Sequence, residues 1–405
     1  STTPAYLAFA AFGSLWGVWG AALPQVRDQA GLDDGRLGTA LLFVAAGGLP
    51  AMLLTGRVAD RLGRQVAAAT LLLLAACGLG VALTAHGLLS LCVGLTLLGA
   101  ASGAADVAIN TVAVETQHAR ARPVVTRAHG TFSTAVVVAS LLTGLLRHLE
   151  VPMAVPFALV LLVAAAAAVA LRGSERPLPP PASSHVATRP TLPRRRVLVL
   201  AAVGLVAALG YAVENAHQSW GAVYLGDVLT VSPGVTAAAP ALVAAVVAVT
   251  RLGVGALPPL PPLAVLLAGG TLSAAGTLLL ASADTLVTGL LGMAGAAAGT
   301  AVLFPTLLTA GVADVDPAVR GRATSAITAT AYLGFLLGPV LVGWLAQSQD
   351  LRAAMVGVAG LAVVLTLASW PVLRAAAAVS RSDAGQSDAG RSDVARCAPP
   401  ARPHR

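Results

Sequence analysis

The chain contains no lysine: all 25 of its basic residues are arginine. Charged residues of either sign fill only 10% of the 405 positions, and aromatic residues 4%. So little charge cannot cover a soluble surface, and with 57% apolar residues and a mean hydropathy of +0.83 the composition is that of an integral membrane protein. Cysteine is scarce too. Cys77 and Cys92 fall inside apolar runs and Cys397 in a polar tail, which excludes a disulfide framework and offers no metal-ligand spacing. The seven histidines are scattered, no glycine loop follows a strand, and no nucleophile has a base at useful spacing. Neither an enzyme, a metal nor a cofactor is expected. No basic leader precedes the first apolar run, so no cleavable signal peptide is expected.

What is present is apolar sequence in lengths that cross a bilayer. A window of about 20 residues finds twelve runs. The first is Ala5 to Leu23, the fourth Leu88 to Ala113, the fifth Ala128 to Leu146, the seventh Val197 to Trp220, the eighth Ala237 to Thr250, the tenth Leu286 to Gly311 and the last Ala353 to Leu373. The eighth is short and reaches full length only if Arg251 snorkels toward the membrane surface. The net charge of +8 would suggest nucleic acid if the arginines formed a patch, but they punctuate the apolar runs instead. No nucleic-acid partner is expected. With the N-terminus cytoplasmic, 21 arginines fall in cytoplasmic connections or tails and 4 in external ones, which places both termini inside.

The chain divides into an N-terminal six-helix bundle over 1–171, a proline- and arginine-rich cytoplasmic linker over 172–196, a C-terminal six-helix bundle over 197–373 and a tail over 374–405. The tail repeats Ser-Asp-Ala-Gly and has too little apolar content to fold, so it is expected to be disordered. The two halves resemble each other. Each opens on a run with Gly and Trp (Gly13, Trp16 and Trp19; Gly210 and Trp220), and each fourth run carries Leu-Leu-Gly, at Leu97 and Leu290. Glycines supply the packing surfaces: Gly13, Gly17 and Gly20 on the first run, and Gly334, Gly338, Pro339 and Gly343 on the eleventh.

Between the second and third runs lies a charged decapeptide, Gly56 to Gln65, with Arg57, Asp60, Arg61, Gly63 and Arg64. These charges would each cost several kcal/mol in hydrocarbon, so the chain is expected to turn in water here. Their spacing resembles the signature between the second and third helices of the major facilitator superfamily. The resemblance implies twelve helices in two bundles working by alternating access. It also implies a cytoplasmic gate at Gly56, Asp60, Arg61, Gly63 and Arg64, and a central cavity lined by the first, fourth, seventh and tenth helices.

Only two carboxylates lie well inside the spans, Asp106 in the fourth and Glu214 in the seventh. Desolvation of each must be offset by a partner, by water or by protonation, so an intramembrane carboxylate is a functional candidate. Ser102, Asp106 and Asn110 follow at i, i+4 and i+8, with His129 within reach as a partner for Asp106. Tyr211, Glu214, His217 and Gln218 line one face of the seventh span, and Asn215 beside them is a further hydrogen-bonding candidate. Phe12, Trp16 and Trp19 form a stripe on the first span that faces either the cavity or lipid. A carboxylate in a partly dry cavity can load and release a proton as the cavity opens to each side in turn. The equally simple reading is a satisfied structural carboxylate.

The local text, Gly103 to Asn110, Glu115, His129 to Ser133 and Glu214 with Trp220 and Leu225, resembles a bacterial branch typified by MosC-like and YbjJ-like membrane proteins. It departs from that branch at Asn215, at Ser219 and over Ala135 to Ala139. The expected function is proton-coupled movement of a small polar solute, sugar- or cyclitol-like, by a monomer in the bacterial inner membrane. The partners are the solute, protons and the lipid bilayer. A proton-driven exporter of a drug or natural product is the alternative; a non-transporting receptor or scaffold is the remote one.

Overall fold

A computed structural model describes the backbone of residues 1–62, 64–120, 123–173, 193–258, 260–315 and 317–396; the side chains of 56–62, 317–318, 321 and 380–396 are likewise outside the description. Among the described residues there are helices and turns and no strand. The first half contains α1 (Thr3–Ala30), α2 (Asp34–Leu62), α3 (Arg64–Thr84), α4 (Leu88–Arg120), α5 (Val124–His148) and α6 (Ala154–Arg172). The second contains α7 (Arg194–Asp227), a 3-10 turn (Val235–Ala237), α8 (Ala238–Gly255), α9 (Pro262–Ala281), α10 (Leu286–Thr300), α11 (Leu303–Val312), α12 (Pro317–Ser348) and α13 (Leu351–Arg396). Twelve of these segments are long and apolar enough to cross a membrane, α10 and α11 together forming the tenth. Large apolar side chains such as Leu53, Leu89, Leu162, Val169, Leu252 and Leu367 stand exposed on the outside, as a lipid-facing surface requires.

The pairing of helices repeats between the halves. In the first, α1 packs on α5, and α3 on α4 and α6; in the second, α7 packs on α12, and α9 on α10 and α13. The small residues explain how close these pairs come. A Cβ on Gly17 would lie 2.5 Å from the Val136 carbonyl oxygen, and one on Gly338 would lie 2.6 Å from that of Ala212. Only a hydrogen fits there, so backbone meets backbone; Ser140 Oγ adds a hydrogen bond to the Gly17 carbonyl at 3.1 Å.

Three features differ from the sequence expectation. The charged segment after Thr55 stays helical, α2 running to Leu62 and α3 starting at Arg64, so Gly56 is not in a turn. Charge keeps a segment out of hydrocarbon but does not stop a helix that protrudes into water. Gly63, the side chains of Asp60 and Arg61 and the surroundings of Gly56 lie outside the description, as does the linker 174–192. In the tail, α13 continues to Arg396, well past the apolar span that ends at Val379; the alanines from Ala375 to Ala378 carry helix propensity where apolar content falls. Finally, the tenth span is two helices, broken at Ala301 and Val302.

The end of the bundle holding the N-terminus of α1 is here the near end, and the opposite end the far end. At the far end the halves touch. Arg27 of α1 reaches Asp227 of α7 with both Nη atoms, at 2.5 and 3.0 Å, and also Asp34 at 3.0 Å. Arg147 Nη1 donates to Thr236 Oγ1 at 2.8 Å and to the Ala21 carbonyl at 2.9 Å. Glycines meet across the same seam: Gly38 against Gly343, Gly144 against Gly234, and Gly20 against Pro240.

Candidate functional site

Depth along the helices brings the candidate residues to one region. At about 1.5 Å per residue from the far end of each helix, Glu214 and Arg251 both lie roughly 20 Å deep. Tyr211 and Tyr332 lie about 24 Å deep, and Asp106 and His129 about 27 to 29 Å. They come from α4 and α5 of one half and α7, α8 and α12 of the other, so the region lies between the bundles.

Glu214 is its centre. Its side chain is 13% exposed, its Oε1 accepts from Gln218 Nε2 at 3.1 Å, and its Oε2 stands 3.6 Å from Arg251 Nη2. Arg251 does not snorkel outward. Its Nε donates to the Ala301 carbonyl at 2.9 Å, at the break in the tenth span. The reason is Pro305: in a continuous helix the N–H of residue 305 would take that carbonyl, and proline has none. Arg251 supplies the missing donor from a neighbouring helix.

The same logic relocates Asn215. Pro339 leaves the Phe335 carbonyl without its helical partner, and Asn215 Nδ2 donates to it at 2.6 Å while Asn215 Oδ1 accepts from Ser219 Oγ at 3.0 Å. Asn215 is therefore a buried packing residue between α7 and α12, not a solute contact. Asn215→Leu is expected to cost about 1–3 kcal/mol by orphaning that carbonyl, read as a lower melting temperature of the purified protein. In a Pro339→Ala background the same change should cost much less. Strictly additive effects would sink this account.

His217 also leaves the solute-facing set. It is buried, with Nδ1 on the Val213 carbonyl at 2.7 Å and Nε2 3.2 Å from Thr277 Oγ1 of α9. Trp19 is buried in the apolar core, and Trp16 packs half-buried against it. Asp106 accepts from Asn110 Nδ2 at 3.1 Å; His129 packs edge-on to Phe9, ring centres 5.0 Å apart, in place of the expected pairing with Asp106. His129 instead lies within electrostatic reach of Arg251, and Tyr211 and Tyr332 both lie within reach of Asp106.

An aromatic group of which the sequence expectation named only Tyr211 completes the wall. Tyr211 stacks on Phe304 with ring centres 4.4 Å apart, and Tyr332 and Phe335 of α12 flank it at 5.9 and 6.4 Å. His129 is exposed and the Arg251 side chain is 47% exposed, while the ties between the halves described above lie at the far end; the polar region is therefore open toward the near end. A separate groove of about 640 Å³ between α1, α5 and α6 has no charged residue in its lining and takes no part in this site.

Two six-helix bundles enclosing a polar chamber that opens to one side define a secondary transporter of the membrane. A profile of the Major Facilitator Superfamily matches residues 5–333, and the chain belongs to that family. It is 30% identical over 379 residues to an uncharacterised MFS-type transporter of Yersinia pestis, covering 91% of this chain and 94% of that one. It is 24% identical over 366 residues to the membrane protein MosC of Rhizobium meliloti, covering 88% and 86%. Its fold matches the crystal structure of a D-xylose–proton symporter with a TM-score of 0.70 at 16% identity, covering 91% of this chain and 96% of that one.

Proposed function

We propose that this transporter couples protons to the movement of a small, hydroxyl-bearing solute, sugar- or cyclitol-like, across a bacterial plasma membrane with both its termini cytoplasmic, working as a monomer. The observation that carries this reading is Glu214. It is an intramembrane carboxylate on the chamber wall, reachable by water and placed beside a cation that it can release on taking up a proton. Gln218 and Tyr211 add donors and acceptors for hydroxyls, and Asp106 of the other half lies within electrostatic reach of Tyr211. The likeness to a D-xylose–proton symporter is consistent with this reading. In this orientation the near end is cytoplasmic and the structure is an inward-open state.

The aromatic group of Tyr211, Phe304, Tyr332 and Phe335 favours a second reading, export of a ring-bearing natural product by the same proton cycle. The test is reconstitution in proteoliposomes with an imposed pH gradient, using sugars and cyclitols in neutral and acid form (glucose, xylose, inositol, glucuronate and quinate) against an amphiphilic dye. Accumulation of a polyol that a protonophore collapses is expected. Movement of the dye alone would favour export, and the absence of any exchange would leave a receptor or scaffold.

A further inference from the structure

Arg251 is unusual for an intramembrane cation because its counterion is not firmly attached. The carboxylate of Glu214 stands 3.6 Å away, beyond hydrogen-bond length, whereas Nε is fixed on the Ala301 carbonyl at 2.9 Å. Anchoring through Nε holds the guanidinium plane and leaves its Nη edge toward the chamber, with 47% of the side chain exposed. A planar, fixed fork of this kind suits a carboxylate bound through two parallel hydrogen bonds. A neutral polyol has no need of it, since its hydroxyls are met by neutral donors and acceptors such as the Gln218 amide.

We infer that Arg251 is the specificity-determining residue of the chamber and that the solute is an organic acid, whose carboxylate takes the place of Glu214 on the guanidinium when Glu214 takes up a proton. This rests on the reading of the chamber as a proton-coupled site. The charged and titratable groups around the exchange are Glu214 and Tyr211 from α7, Arg251 from α8, His129 from α5, Asp106 from α4 and Tyr332 from α12. Charge is conserved: one solute anion enters with one proton, so the loaded chamber carries the same net charge as the empty one. Transport is then insensitive to membrane potential.

The test uses matched acid and neutral probes on the purified full chain: glucuronate against glucose, quinate against inositol, and benzoate against benzyl alcohol. Binding is read by tryptophan fluorescence at about pH 5.5 and about pH 7.5. At least one acid is expected to bind about tenfold more tightly than its neutral partner at the lower pH, with the advantage shrinking at the higher. Glu214→Gln should bind that acid tightly at both pH values, Arg251→Gln should lose the preference, and Arg251→Lys should restore part of it. If Arg251→Gln does not fold for want of the Ala301 bond, Glu214→Gln and Arg251→Lys still decide. Neutral probes binding as well as the acids, no acid binding, or an acid preference that survives Arg251→Gln would each overturn the inference. Proton coupling is read separately. Acid binding at Arg251 with no movement under a pH gradient removes the coupling and keeps the inference, whereas gradient-driven movement of neutral polyols alone does the reverse.

Discussion

Gly343→Leu is expected to open the far end of the molecule and to abolish most transport without unfolding either bundle. A Cβ at 343 would lie 2.6 Å from the Asp34 carbonyl oxygen and 2.7 Å from the Gly38 Cα. Both obstacles are backbone of α2, so no side chain can swing aside, and overpacking of this kind costs about 1–3 kcal/mol even before the rest of the leucine is placed. The contact joins the two halves, not helices of one half. The cost therefore falls on the closed far end and not on the fold of either bundle, and it shifts the equilibrium by about fivefold to 150-fold. Gln218→Cys, in a chain whose three native cysteines have been replaced, reports the shift. A membrane-impermeant maleimide added at the far end should label it much faster when Gly343→Leu is present. Labelling and transport equal to the parent would show that the glycine crossing does not govern closure.

The second large effect is at Glu214. Glu214→Gln keeps the shape of the side chain and its partner Gln218 but removes the proton, so accumulation driven by a pH gradient should fall by about a hundredfold or more. Exchange of solute across a membrane at equal pH needs no net proton movement and should persist. Asp106→Asn provides the comparison, because Asp106 lies deeper toward the near end and keeps its bond to Asn110 through the amide. A residue that only held the fold would lower exchange and accumulation together. If both neutralised variants accumulate solute as the parent does, the carboxylates are structural.

Most of the architecture was legible in the sequence because membrane spans are long, apolar and separated by arginine, and no tertiary contact is needed to see that. The break at Ala301 was not, since a hydropathy window averages over it; Pro305 was the visible mark, and its meaning lies in a carbonyl four residues earlier. The role of Arg251 was hidden for the same reason. Near the end of a short apolar run it reads as a residue reaching for the surface, and only the place of α10 and α11 beside it shows a carbonyl to be filled. The misplacement of His217 was avoidable. At 100° per residue Tyr211, Glu214 and Gln218 fall within about 60° of one another, and His217 lies roughly 60° farther round, toward α9. Asn215 sits close enough to the solute-facing arc that its angle alone could not exclude it; the deciding fact is Pro339 on another helix.

The pairing of Pro305 with Arg251 has a consequence for how this site can change. An alanine at 305 would restore a helical N–H to the Ala301 carbonyl, straighten the tenth span and turn the guanidinium loose, so that position 251 could drift to a neutral residue without leaving any main-chain group unsatisfied. The imino acid thus gives the side chain at 251 a main-chain duty beyond its pairing with Glu214: without Pro305 the Ala301 carbonyl would make no claim on it.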